Sequence, residues 1–159
     1  MENNFTVKQI GIICADDNGF RLELTPQYKE ALTGLEGFSY LNILWWFSGC
    51  DNETDRSILA EEKPYTKGPD TLGVFATRSP QRPNPIALSS AYVTYIDEDN
   101  GIIGLAYIDA DDQSPVLDIK PYTPSLDRVE SPDVPAWCKH WPVNIESSGD
   151  FDWESEFNF

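Results

Sequence analysis

Basic side chains are scarce in this sequence: 11 Lys and Arg stand against 27 Asp and Glu, a formal net charge of −16. Charge of that sign opposes a polyanion, so extended nucleic-acid binding by the chain alone is disfavoured. Histidine is nearly missing, with His140 alone, and the three cysteines, Cys14, Cys50 and Cys138, form no CxxC pair. An odd set of unpaired thiols argues against a disulfide framework, and with one histidine it does not make a zinc site. The thiols are therefore read as reduced, and no metal is expected. No apolar run approaches the ~18–20 residues of a membrane span. The start, Met1-Glu-Asn-Asn-Phe-Thr, lacks the basic and apolar regions of a secretion signal. The expected location is the cytoplasm, with no membrane partner. No GxGxxG follows a strand, and there is no Walker loop, GxSxG elbow or HExxH. A Rossmann cofactor site is thus unsupported.

What is present is apolar enough to fold: 40% of residues are hydrophobic and 13% aromatic, which excludes a wholly disordered acidic chain. At 159 residues the chain suits one domain with a single core. Acids cluster where bases are missing. The 37 residues between Arg82 and Lys120 contain no Lys or Arg but hold Asp97, Glu98, Asp99, Asp109, Asp111 and Asp112. Such runs read as solvated faces. The remaining bases include Lys63, Lys67, Arg78, Arg82 and Lys120, which would form one local anion site if the fold gathered them.

Period and turn chemistry predict mostly strands. Thr6–Cys14 and Phe20–Leu24 form a hairpin around Asn18-Gly19, which is suited to positive φ. Pro26–Leu35 reads as a short helix with Thr25 as N-cap and Gly34 or Gly37 near its stop. Phe38–Phe47 is an aromatic, β-branched run read as a buried strand whose Trp45, Trp46 and Phe47 belong to core or interface. Asp51–Asp70 reads as a long loop. Ser89–Ile96 and Ile102–Ile108 pair through Asn100-Gly101, and Val116–Ile119 adds another strand. The sum is a mainly β, single-domain barrel or curled sheet with short helices. The acidic tail carries Phe151, Trp153, Phe157 and Phe159, enough apolar mass to pack partly.

The densest chemistry lies in Gly73–Ser90, GVFATRSPQRPNPIALSS. Pro80, Pro83 and Pro85 fix three φ angles and remove three backbone donors, so the loop is stiff before any ligand arrives. On it Arg78 and Arg82 can present planar forks to a carboxylate or phosphate, and Asn84 adds an amide suited to a nucleobase edge. A proline-stabilised turn with two solvated arginines remains the alternative. A second cluster runs from Asp111 to Tyr122. Val116, Leu117 and Ile119 suggest a buried strand with Asp118 and Lys120 on its other face, Tyr122 in register and Pro121 ending the ladder. Acid, base and phenol together could contact a cationic ligand and accept a proton, or form an ordinary surface ion pair.

These two segments resemble the TrmO (YaeB, TsaA-like) family, whose hallmarks match Gly73–Ser89 nearly throughout and Asp112–Tyr122 except at Gln113 and Ser114. The similarity runs loosely from Val7 to about Asp127. The segments Pro135–Trp141 and Asp150–Trp153 look like a shorter branch. The resemblance implies an S-adenosylmethionine-dependent methyltransferase, homodimeric, built as a β-barrel domain over 1–140 with an acidic, aromatic extension at 141–159. Characterised members methylate N6 of threonylcarbamoyladenosine in transfer RNA. Carried over, Phe75, Thr77, Arg78, Ser79, Pro80, Pro83, Asn84, Ile86, Val116, Leu117 and Asp118 would line the cofactor pocket. Arg78, Arg82, Asp118, Lys120 and Tyr122 would serve catalysis, an arginine pairing with a carboxylate and Asp118 orienting the nucleophile or taking its proton. The lack of Rossmann glycines fits a barrel-based pocket. The net charge leaves two alternatives open: a small-molecule methyl acceptor, and a noncatalytic module that binds S-adenosylmethionine or a nucleotide.

Overall fold

A computed structural model describes all residues from Met1 to Phe159, in two compact units. The first comprises Met1–Asn52 and Asn84–Arg128, and the second comprises Glu53–Pro83 and Val129–Phe159. Eight strands follow one another along the chain: β1 (Gly11–Asp16), β2 (Gly19–Leu24), β3 (Tyr40–Trp46), β4 (Ala60–Glu62), β5 (Thr71–Gly73), β6 (Ile86–Asp97), β7 (Ile102–Leu105) and β8 (Pro115–Pro121).

The first unit is a closed barrel of six of them, in the spatial order β1-β2-β7-β6-β3-β8. Neighbouring strands run antiparallel, and β8 returns to β1 through Gly11↔Val116 and Ile12↔Pro115. Closure removes the sheet's open edges. Alternation supplies the core: on β3, Leu41, Ile43 and Trp45 are buried, joined by Ile13, Leu22, Ile103 and Val116. The Trp45 indole N–H is not stranded there. It donates to Ser89 Oγ at 2.9 Å, and that hydroxyl donates to Asp109 at 2.8 Å.

Several boundaries differ from the sequence reading. The first strand begins at Gly11, leaving Thr6–Ile10 outside it, although Ile10 N still donates to Val116 O at 2.8 Å. Its hairpin closes at Asp16↔Gly19, and only Gly19 takes a positive φ, of 97°, while Asn18 does not. That arrangement matches a turn followed by a glycine bulge rather than two left-handed residues. The helix after Thr25 is a 3₁₀ segment, Pro26–Leu32, without a side-chain cap bond from Thr25. The hairpin at Asn100-Gly101 stands, but its second strand stops at Leu105, short of Ile108. On β8 a register shift against β3 at Leu44/Trp45 puts both Val116 and Ile119 against the core. Asp118 and Lys120, two residues apart, share the outer face.

The second unit contains the segment read as a long loop, and that segment is partly regular. Glu53–Arg56 is one helical turn, and β4 pairs with β5. The C-terminal residues form the other half of this unit. Trp137, Trp141, Trp153 and Phe157 pack ring on ring, with Tyr65 stacked on Trp137 at 5.2 Å. The acidic tail therefore packs, although Phe159 remains 88% exposed. Among the rings lies Glu156, 3% exposed. It accepts from Trp141 Nε1 at 3.0 Å, lies 2.7 Å from His140 Nε2 and 3.5 Å from Lys67 Nζ. A buried carboxylate with such partners is tolerated, whereas one without them is strongly destabilising.

Burial raises the Glu156 pKa, but the hydrogen bonds from Trp141 and His140 and the nearby charges outweigh it, holding the carboxyl below its ordinary 4.5. The sign follows from linkage. A lowered folded-state pKa gives stability that is complete above the unfolded value and is lost as pH falls through the folded one. Acid titration followed by tryptophan fluorescence should show the second unit loosening as pH drops below that ordinary 4.5. Glu156→Gln should flatten this acid limb while lowering stability at neutral pH.

Candidate functional site

The first motif is organised by its own residues. After β5 the chain turns through a single 3₁₀ turn, Val74–Ala76, and enters the proline-rich stretch. Prolines cannot donate, so the carbonyls here need donors from side chains. Arg82 supplies them. Its Nη1 donates to Thr77 O at 3.2 Å and Ser79 O at 3.1 Å, and its Nη2 donates to Val74 O at 3.2 Å. Thr77, itself buried, donates its hydroxyl to Val74 O at 3.0 Å and accepts from Ser79 N at 3.2 Å. Two acids hold the same loop: Ser79 Oγ donates to Glu61 at 2.5 Å, and Gln81 Nε2 donates to Asp55 at 2.6 Å.

The two arginines consequently differ in kind. Arg82 is half-buried and turns its fork on the loop's own carbonyls, so it shapes the loop instead of reaching for an anion. Arg78 is exposed on that shaped loop. Phe75 precedes it by three positions and is 83% exposed, an unusual place for a phenylalanine in a stiff, well-bonded segment.

The rest of the first motif and all of the second belong to the barrel. The Asn84 carbonyl accepts from Ile86 N at 2.7 Å, and Pro85 O accepts from Phe47 N at 2.8 Å, which fixes the start of β6. Gln113, in the turn before β8, takes a φ of 68°, the left-handed region that favours glycine. On β8, Asp118 and Lys120 form an ion pair of 2.8 Å, which raises the Lys120 pKa through hydrogen bond and charge. Both side chains are open to solvent, so the pair adds little to stability. Tyr122 packs edge-on to Tyr40 at 6.3 Å, and Tyr40 packs on Tyr92 at 5.4 Å. Nearby in the chain, Asn42 donates to Asp127 at 3.0 Å and accepts from Ser90 at 2.6 Å, while Asp127 also accepts from Thr123 N at 2.8 Å. The Thr123 hydroxyl is buried with no partner.

Placement separates the sequence candidates. Arg78, Arg82, Phe75, Thr77, Ser79, Pro80 and Pro83 stand in the second unit; Asn84, Ile86, Leu117, Asp118, Lys120 and Tyr122 stand in the barrel. The Val116 side chain is wholly buried in the barrel core, so it can line nothing at the surface. Of the expected basic cluster, Lys63, Lys67 and Lys120 face Asp70, Glu156 and Asp118. The sequence reading missed Glu61, Asp55 and Tyr65, whose only hint was their place in a charged segment preceding the motif. Neither buried thiol is a nucleophile at neutral pH. Burial, then the Glu23 carboxylate, pushes Cys14 up to about 11, and burial raises Cys138.

Residues 8–128 match the model of the tRNA-methyltransferase O N-terminal domain. The chain belongs to the TrmO family. It is 34% identical over 123 residues to a probable S-adenosyl-L-methionine-binding protein of Methanocaldococcus jannaschii, covering 77% of this chain and 96% of that one. It is 34% identical over 131 residues to the tRNA (adenine(37)-N6)-methyltransferase of Escherichia coli, covering 81% of this chain and 54% of the enzyme. A crystal structure of TrmO from Pseudomonas aeruginosa superposes with a TM-score of 0.65 at 29% identity, over 86% of this chain and 62% of that one. This TrmO-family chain thus spans about half of the E. coli relative, and only 27% of a longer Archaeoglobus fulgidus relative. The TrmO match ends at Arg128, where the C-terminal half of the second unit begins.

If Arg82 shapes this TrmO-family loop, Arg82→Lys should lose most of its carbonyl contacts while keeping the charge. Thermal unfolding should show a loss of about 1.5–3 kcal/mol, the range for hydrogen bonds to a charged group.

Proposed function

We propose that this protein is an S-adenosylmethionine-dependent methyltransferase whose acceptor is N6 of a threonylcarbamoyl-modified adenosine in transfer RNA. The observation that carries the reading is the family motif folded into a rigid loop: Arg82 closes it from within, leaving Arg78 and Phe75 exposed on its surface. The donor set fits the cofactor. The Phe75 ring suits an adenine face, Arg78 suits a carboxylate, and the hydroxyls and carbonyls around Thr77–Pro80 suit polar groups between them. When bound, the cofactor supplies an electrophilic methyl group on a cationic sulfur. The chain's share is alignment. Arg78 pairs with a carboxylate, of the cofactor or of the threonyl group. Family membership also supports a homodimer acting in the cytoplasm. No helix of the structure is long and apolar enough to cross a membrane.

The −16 charge favours one further reading, a methyl acceptor smaller than transfer RNA. One experiment separates them. Titration calorimetry should show binding of S-adenosylmethionine and its demethylated product, weakened about 10- to 100-fold in Arg78→Ala, the loss expected for a charge-assisted pair. Incubation with methyl-labelled cofactor and total transfer RNA should then place label in the RNA. Binding without label moves the acceptor to small molecules, and no binding overturns the methyltransferase reading.

A further inference from the structure

The Arg82 contacts give the motif loop its shape, yet all three stay within residues 74–82. A loop bonded only to itself can still swing as a body on the chain at its two ends. Two side-chain bonds reach out of the loop, to carboxylates from earlier in the chain. Ser79 Oγ donates to Glu61 Oε1 at 2.5 Å, across 18 residues, and Gln81 Nε2 donates to Asp55 Oδ1 at 2.6 Å, across 26. The first has the short distance of a hydroxyl on an ionised carboxylate, a bond about twice as strong as one between neutral groups. Ser79 is also the junction of the two, since its hydroxyl accepts from Gln81 N at 3.3 Å.

Glu61 stands on a firm base. It is the middle residue of β4 and pairs across to Leu72 of β5. Side chains alternate along a strand, so the adjacent acids Glu61 and Glu62 point to opposite faces: Glu61 is half-buried against the loop, and Glu62 is exposed. Lys63 N extends the ladder by donating to Asp70 O at 2.7 Å, and Val74 N donates to Leu59 O at 3.0 Å at the other end. The strand's exit is held as well. Asn158 N donates to Pro64 O at 3.1 Å, and Asn158 Nδ2 donates to Lys63 O at 2.8 Å. A segment outside the matched family domain thus steadies the ribbon from which Glu61 reaches the motif.

Arg78 lies between two fixed neighbours. Thr77 is bonded to Val74 and Arg82; Ser79 is bonded through its N–H to Thr77 Oγ1 and through its hydroxyl to Glu61. We infer that Glu61 is a positioning residue: by holding the Ser79 hydroxyl it ties the limb that carries Arg78 to the β4–β5 ribbon, and so sets where that arginine meets its ligand. The last clause rests on the proposed function, in which Arg78 meets a carboxylate. The anchor itself does not. Arg82 fixes the loop's shape, and Glu61 fixes its place.

The test uses the full chain with Glu61→Ala, which removes the acceptor, and Glu61→Gln, which keeps an accepting oxygen but drops the charge. Amide hydrogen exchange read by NMR should show the Gln81 N–H exchanging roughly 5- to 10-fold faster in Glu61→Ala, because the hydroxyl it bonds is no longer held. In Glu61→Gln the rise should be roughly 2- to 3-fold, since a neutral acceptor keeps about half the bond's strength. The Thr66 and Asn158 amides, on the far side of the ribbon's exit, should not change in either. S-adenosylmethionine affinity read by calorimetry should fall by the same factors. In an Arg78→Ala background, however, neither substitution at Glu61 should weaken binding further, because a residue acting through Arg78 has nothing left to position. Unchanged Gln81 exchange overturns the inference. So do losses that multiply in the double variants, or a general rise in exchange across the second unit, either of which would mark a merely structural residue. If Glu61→Ala does not fold, Glu61→Gln carries the same comparisons. Should the unaltered protein bind no S-adenosylmethionine, the methyltransferase reading falls, while the Gln81 exchange still decides the anchor.

Discussion

The motif loop depends on one interaction, the fan of hydrogen bonds from the Arg82 guanidinium into the carbonyls of Val74, Thr77 and Ser79. Proline restricts a chain but also strips it of donors, so a loop stiffened this way cannot bond itself fully through its backbone. A planar group with five N–H donors solves the problem, which a lysine cannot do with a single nitrogen on a flexible stem. The outcome is a loop whose shape is set before a ligand arrives. Preorganisation of that kind lowers the cost of binding, because the side chains that meet the ligand have less freedom left to lose.

The barrel and the second unit solve separate problems. Six antiparallel strands close around Ile13, Leu22, Leu41, Ile43, Ile103 and Val116, so the hydrophobic effect acts on one continuous interior. The second unit has few strands and builds its interior from rings, with the buried Glu156 satisfied by an indole, an imidazole and a lysine. Rings cover large areas with few residues, which suits a unit assembled from two separated chain segments. A carboxylate among them has a directional consequence as well. Its partners must all be in place for the burial to be tolerable, so the segment cannot drift without leaving an uncompensated charge in an apolar environment.

The strands were legible because alternation and Asn-Gly turns are local. Leu41, Ile43 and Trp45 advertise an inward face in sequence alone, and the shared face of Asp118 and Lys120 follows from the same period of two. The motif's residues were legible as chemistry, but not their division of labour. Nothing in the spacing of Arg78 and Arg82 says which fork turns inward; that is decided by carbonyls that lack donors, a property of the folded loop. Val116 illustrates the opposite failure. Its neighbours in the motif look like a lining, yet the register against β1 and β3 places its side chain in the core. Tyr65 and Glu156 were invisible for a third reason: they act between segments far apart in the chain, joined by Thr66 N donating to Glu156 O, and no local pattern records such a pairing.

The charge balance ties these points to recognition. Of the eleven cationic side chains, Arg21, Lys63, Lys67 and Lys120 each face a carboxylate of the protein, and Arg82 and Lys29 bond backbone carbonyls. The eleven cations stand against 27 Asp and Glu, so no broad positive field forms and long-range attraction does not draw a polyanion to this molecule. In the proposed reading recognition comes from short-range fit: a guanidinium on a rigid loop, an exposed ring on the same loop, and polar groups at fixed positions. Such a site discriminates by geometry more than by charge. In the proposed reading Arg78 depends on the loop that Arg82 shapes, since no surrounding positive field compensates for a misplaced fork.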